Sequence, residues 1–94
     1  MDEEVVERVR AEVRAIPPGE TSTYGEIARR LGLSSARLVG RILAEDGHDL
    51  PWHRVLRADG TAAPHIAREQ SDRLRAEGVF LVDGRLPRPR RGRG

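Results

Sequence analysis

Apolar residues in the first sixteen positions recur at helical spacing. Val5, Val6, Val9, Val13 and Ile16 fall along one stripe, with Arg8, Arg10, Glu12 and Arg14 among the positions between them, so residues 3 to 15 are predicted to form an amphipathic helix. Asp2 is placed to cap it, and Pro17-Pro18-Gly19 ends it, because proline offers no backbone donor and restricts the residue before it. Thr21 to Leu31 reads as a second helix. Thr23 and Glu26 have the spacing of a capping box, Ile27, Ala28 and Leu31 form the inward face, and Gly32 supplies a left-handed stop. Ser34 or Ser35 then caps a third helix running to about Ala44, with Leu38, Val39, Ile42 and Leu43 on its apolar side.

The pattern weakens after Ala44. Glu45 to Asp49 is acidic and reads as a loop leading into Leu50-Pro51-Trp52-His53-Arg54-Val55-Leu56; Asp59-Gly60 marks a turn, and Thr61 to Ile66 reads as a loop. A fourth helix is predicted over Ala67 to Glu77, with Ala67, Leu74 and Ala76 available to pack and Gly78 as its stop. Val79 to Val82 is predicted as a strand, Asp83-Gly84 as a hairpin turn and Arg85-Leu86 as a short return. The fold class expected is mostly α with a small β element: a single winged-helix-like domain over residues 1–84, built on a helix-turn-helix, followed by a basic, disordered tail at 85–94.

Composition narrows the chemistry. Ninety-four residues support one modest core. With no cysteine, disulfides, thiolate zinc sites and cysteine nucleophiles are excluded, and no cofactor or metal is expected. No apolar run approaches the roughly 20 residues that cross a bilayer, and the opening MDEEVVERVR is acidic where a secretory signal is basic, so no membrane association is expected and the location expected is the cytoplasm. All 17 basic residues are arginine, and five of them, Arg85, Arg88, Arg90, Arg91 and Arg93, crowd a final stretch without an acid; the formal +2 without these five leaves −3 on the rest. Such a tail suits phosphate, and it equally suits a solvated chain end.

The two short helices with a glycine turn between them fit a helix-turn-helix and also fit plain core packing. DNA binding is favoured by Arg37 and Arg41, four apart on the third helix beside small Ser34, Ser35, Ala36 and Gly40, which let a helix approach a groove closely. Ser22, Tyr24 and Thr61 are hydroxyl nucleophile candidates, but none has a base at local spacing.

Four segments, TYGEIARRLG, SARLVG, PWHRV and EGV, stand in the order and approximate spacing of the C-terminal domain of O6-alkylguanine-DNA alkyltransferases. The resemblance covers about residues 3 to 82. In the repair enzymes the third segment carries a cysteine that takes the alkyl group from the base; here that position is Trp52, and the chain is similar to the alkyltransferase-like proteins, which lack the cysteine. The resemblance implies a non-enzymatic protein with no catalytic residues, which binds double-stranded DNA containing O6-alkylguanine, flips the nucleotide and flags the site for nucleotide excision repair proteins, as a monomer in a bacterial cytoplasm. It implies minor-groove docking by the helix-turn-helix, a lesion pocket of Trp52, Pro51 and Val55 completed by the loop from Ala62 to Ile66, nucleotide flipping by Tyr24, and insertion of Arg37 into the base stack. His53 and Glu77 match the proton relay of the repair enzymes and are expected here to form a structural pair. The loop between Gly40 and Pro51 is short for the repair enzymes, and the arginine tail departs from the family pattern. Two other readings remain: a small winged-helix transcription regulator binding a specific operator, and a residual hydrolase using His53 and Glu77.

Overall fold

The computed structural model describes residues 2–87. In chain order they form α1 (Glu3–Arg14), β1 (Ser22–Thr23), α2 (Tyr24–Leu31), α3 (Ala36–Asp46), a 3-10 turn at Trp52–Arg54, β2 (Val55–Leu56), a second 3-10 turn at Pro64–Ile66, and α4 (Ala67–Ala76). Arg88, Arg90, Arg91 and Arg93 of the predicted tail lie outside the described residues.

The helix ends follow local chemistry. The Asp2 carboxylate accepts from the Glu4 backbone N–H at 2.9 Å, and Glu3 and Glu4 in the first turn suit the positive end of the helix dipole. Thr23 caps α2 by accepting from Glu26 N–H at 3.0 Å. The other half of the predicted capping box is replaced: Glu26 accepts from the Ser22 hydroxyl at 3.1 Å. Gly32 closes α2 at φ +71°, and Leu33 N–H returns to Ala28 C=O at 2.8 Å, the six-to-one bond of a Schellman stop. Ser35, not Ser34, caps α3, accepting from Arg37 N–H at 3.1 Å.

Val9, Val13, Ile27, Ala28, Val39, Ile42, Leu43, Leu50 and Val55 make the main core beneath α1, α2 and α3. A second, smaller core gathers Leu56, Ala62 and Leu74, with Ala67, Val79, Leu81 and Leu86 against it. The neighbouring residues of β2 thus serve different cores, as alternation along a strand requires. β1 and β2 pair in parallel, with Ser22 opposite Val55 and Thr23 opposite Leu56.

Four expectations are corrected. Glu45 and Asp46 belong to α3 rather than to a loop. Acids at a helix C-terminus oppose its dipole, but Arg10 of α1 donates to Asp46 C=O at 2.7 Å and pairs with Asp49 at 2.7 Å, which neutralises that end. Val79 to Val82 forms no strand of its own: Val79 and Leu81 pack inward and Phe80 and Val82 face out, but only an isolated bridge joins Val82 to Arg85 across the Asp83-Gly84 turn. The alternation is present without a partner strand to complete it. Part of the Thr61 to Ile66 loop is a 3-10 turn, and Ala76 is exposed while the polar Gln70 takes the buried place on α4. Among the described residues no helix is long and apolar enough to cross a membrane.

Candidate functional site

An open cleft of about 1160 Å³ lies between the start of α2, the outer face of α3, the Trp52–Arg54 turn and α4. Tyr24 enters it because the Thr23 cap fixes the first residue of α2. Small residues on α3 then leave room for the ring: a Cβ built on Gly40 would stand 3.9 Å from Cδ1 and Cε1 of Tyr24, in ordinary contact. One turn earlier on α3, Ala36 and Arg37 line the cleft, and Arg41 joins them. Burial lifts the Tyr24 hydroxyl above its ordinary range while the positive charge of Arg57 acts against the rise, so the phenol stays protonated at neutral pH.

Trp52 forms the facing wall. Its ring meets His53 edge-on at 6.1 Å and 89°, and the guanidinium of Arg73 lies over it at 5.1 Å. Among the described residues, four arginines (Arg37, Arg41, Arg57 and Arg73) and two histidines (His48 and His65) line the cleft against a single carboxylate, Glu69. Arg41 pairs with Glu45 at 3.3 Å and Arg73 with Glu69 at 2.9 Å, whereas Arg37 and Arg57 make no ion pair among the described residues. The cleft therefore presents free positive charge to an anionic ligand.

Behind Trp52 the structure holds a polar hub. Glu77, just past the end of α4, accepts from His53 Nε2 at 2.8 Å, from Arg54 Nη2 at 2.6 Å and Nε at 3.0 Å, and from the Gly19 backbone N–H at 3.1 Å. Arg54 also donates to Ile16 C=O at 2.9 Å. Arg54 above all, then His53 and Gly19, hold the Glu77 carboxyl at about 2, far below its ordinary 4.5. Such a carboxylate accepts no proton at neutral pH. On the other side of the turn Gln70 Nε2 donates to the carbonyls of His53 at 2.9 Å and Val55 at 2.8 Å, tying the turn to α4. His53 Nδ1 and Gln70 Oε1 are buried without a hydrogen-bond partner among the described residues.

The cleft brings together Tyr24, Ala36, Arg37, Gly40, Arg41 and Trp52 of the residues predicted from sequence, with Ala63, His65 and Ile66 of the predicted loop. Val55 is placed differently: it is fully buried in the main core and paired with Ser22, because β2 turns its side chain away from the cleft. Pro51 is half-buried and leads into the Trp52 turn without lining the cleft, and Ser34 and Ser35 precede the lining part of α3. His53 and Glu77, the two residues that match the relay, meet at 2.8 Å. Arg54, Arg57, Gln70 and Arg73 were not singled out; Gln70 and Arg73 lie at helical spacing around the apolar Leu74, the one signal that places them on the inner side of α4. Ser22 and Thr61 direct their hydroxyls to Glu26 at 3.1 Å and Asp59 at 2.6 Å, outside the cleft.

The profile of the family described as the 6-O-methylguanine DNA methyltransferase DNA binding domain matches residues 4–79. Alkyltransferase-like protein 1 of Schizosaccharomyces pombe is 41% identical over 92 residues, spanning 89% of this chain and 84% of that protein. The DNA base-flipping protein of Escherichia coli is 42% identical over 81 residues, spanning 80% of this chain; the chain covers 62% of that protein's length. The fold superposes on S. pombe Atl1, solved in complex with damaged DNA containing O6-carboxymethylguanine, with a TM-score of 0.78 and 37% identity over 88% of this chain and 85% of the other.

Proposed function

This chain belongs to the family of the 6-O-methylguanine DNA methyltransferase DNA binding domain, and from that premise we propose that it binds O6-alkylguanine in duplex DNA by flipping the nucleotide, without accepting the alkyl group. The observation that carries the reading is the meeting of Tyr24, Arg37 and Trp52 on one arginine-lined cleft of about 1160 Å³, somewhat larger than a usual ligand pocket and ample for an extruded purine.

The α2–α3 pair docks on the minor groove, where Ala36 and Gly40 permit close approach and the degenerate base edges give little sequence preference. Arg37 enters the stack, its planar guanidinium lying against the bases that flank the gap. Tyr24 presses on the backbone beside the rotating nucleotide. Extrusion costs a few kcal/mol and least for a weakly paired, damaged base, and the flipped ring stacks on Trp52, an aromatic contact of about 1–3 kcal/mol.

Transfer is absent for chemical reasons. Trp52 takes the place of the alkyl-accepting cysteine, the chain has no cysteine at all, and an indole offers no free lone pair. His53 and Glu77 retain the relay's positions, but Glu77 is committed to Arg54 and Gly19, so the pair anchors α4 to the Trp52 turn. The bound, unrepaired complex then marks the site for nucleotide excision repair, the protein acting as a cytoplasmic monomer. Arg85 and the arginines beyond the described residues add salt-dependent affinity without lesion preference.

The test compares one oligonucleotide duplex carrying guanine or O6-methylguanine at a single position, at fixed salt. The lesion duplex is expected to bind at least tenfold more tightly, and mass spectrometry of the protein afterwards is expected to show no added methyl group. Equal affinity sinks the recognition reading; a stoichiometric adduct sinks the non-transfer reading.

A further inference from the structure

Trp52 stands on a turn of three residues and is only half-buried, so its backbone does not by itself fix the plane of the indole. His53 stands perpendicular to the ring, 6.1 Å between centroids. A second contact comes from α4, where the Arg73 guanidinium lies over the ring, 5.1 Å from its centroid. Arg73 is in turn held by Glu69, one helical turn earlier, whose Oε2 accepts from both Nε at 3.1 Å and Nη2 at 2.9 Å. Among the described residues Glu69 is the only acid lining a cleft otherwise rich in arginine, and its charge opposes the binding of a polyanion. An exposed i,i+4 pair adds little to helix stability, so helix stability alone gives that acid little reason to face the cleft.

We infer that Arg73 is a positioning residue for Trp52: Glu69 aims the guanidinium, and the guanidinium fixes the indole plane against which the extruded base is read. Arg73→Met removes the cation while keeping an unbranched side chain; Arg73→Lys keeps the charge but loses the planar fork that Glu69 holds. The inference rests on the lesion-binding reading for its role, but its structural part is independent of DNA. Trp52 is the sole tryptophan, so emission maximum and anisotropy of the free protein report its environment directly.

The experiment measures Trp52 fluorescence without DNA, and affinity for the guanine and O6-methylguanine duplexes, in the full chain and in Arg73→Met, Arg73→Lys and Glu69→Ala, with far-UV circular dichroism confirming that α4 forms. Arg73→Met is expected to shift emission to the red, lower the anisotropy and reduce lesion preference about two- to fivefold, the range for a cation on a partly exposed ring. Arg73→Lys is expected between Arg73→Met and the parent on all three readouts. Glu69→Ala is expected to tighten binding to undamaged DNA, because an acid leaves the cleft, while lesion preference and anisotropy fall together. Unchanged fluorescence in Arg73→Met overturns the inference. So does a uniform loss of affinity for both duplexes, which marks Arg73 as a phosphate contact, and so does a gain in Glu69→Ala with the preference intact. If the parent protein shows no lesion preference, the recognition reading fails, and the fluorescence of the DNA-free variants still decides whether Arg73 positions Trp52.

Discussion

Replacing Glu77 with glutamine keeps the shape of the hub and removes its charge. The carboxyl is held at about 2 against an ordinary 4.5; at roughly 1.4 kcal/mol for each tenfold change in proton affinity, that difference corresponds to about 3 kcal/mol at neutral pH. The side chain keeps 16% of its surface exposed, and solvent screening brings the figure to about 2 kcal/mol. Glu77→Gln is therefore expected to lower stability at pH 7 by about 2 kcal/mol, or roughly 8–16 °C in Tm for a domain of this size. The sign with pH follows from the depressed carboxyl. Its stabilisation is complete above about 4.5 and is lost as pH falls toward about 2, so the gap between parent and variant narrows over that window. Other carboxyls, Asp49 and Asp59 among them, are common to both proteins and cancel in the difference. Urea unfolding followed by Trp52 fluorescence and circular dichroism, repeated from pH 7 to pH 2.5, measures the gap. A difference below about 0.5 kcal/mol at pH 7, or one that persists undiminished at pH 2.5, refutes the assignment of Glu77 as an ionised hub.

Other substitutions separate binding from folding. Arg37→Ala is expected to weaken O6-methylguanine binding about tenfold, the scale of one stacking contact, and by more than truncation after Gly84; loss of all lesion preference in the truncated chain shows that Arg37 does not carry it. Gly47→Ala is expected to lower stability by about 2 kcal/mol or more, because the new Cβ would stand 2.6 Å from the Leu43 carbonyl oxygen and 2.9 Å from its Cα; thermal melting checks this. Leu74→Ala empties a fully buried position of the second core and is expected to lower stability by about 2–4 kcal/mol in urea.

The first three helices were legible because each carries its own signals within a few residues: Asp2, Thr23 and Ser35 at the starts, with Pro17 and Gly32 at the stops of the first two; α4 has no side-chain cap and was legible from the spacing of Ala67 and Leu74. Tyr24, Arg37 and Trp52 were legible as a site only through the motif segments, which place them in space without naming the contacts between them. The pairing of Ser22 with Val55 was not legible, since two residues hold no period and their partners lie 33 positions away. Nor was the last turn of α3, whose acids read locally as a helix stop and are rescued by Arg10 from a helix 36 residues earlier. Arg73 and Gln70 show the same limit: on an exposed helix a polar residue looks like surface until the element it faces is known.

Val55 and Leu56 adjoin in the chain, and each closes a different core. Tyr24 packs against the core beneath α1, α2 and α3, which also carries Arg37 on α3, and the Leu74 core lies beneath the α4 wall of Glu69 and Arg73. The apolar packing behind one wall of the cleft is thereby separate from that behind the other, and the Glu77–Arg54 hub links the two halves through Gly19 and Ile16. Descent with modification can repack the support behind the α4 wall through Leu74 and its neighbours while the half built on α2 and α3 keeps its core. A breeder of variants selecting for new adduct sizes has the same freedom, and the most rewarding positions to randomise lie on the α4 side of Leu56.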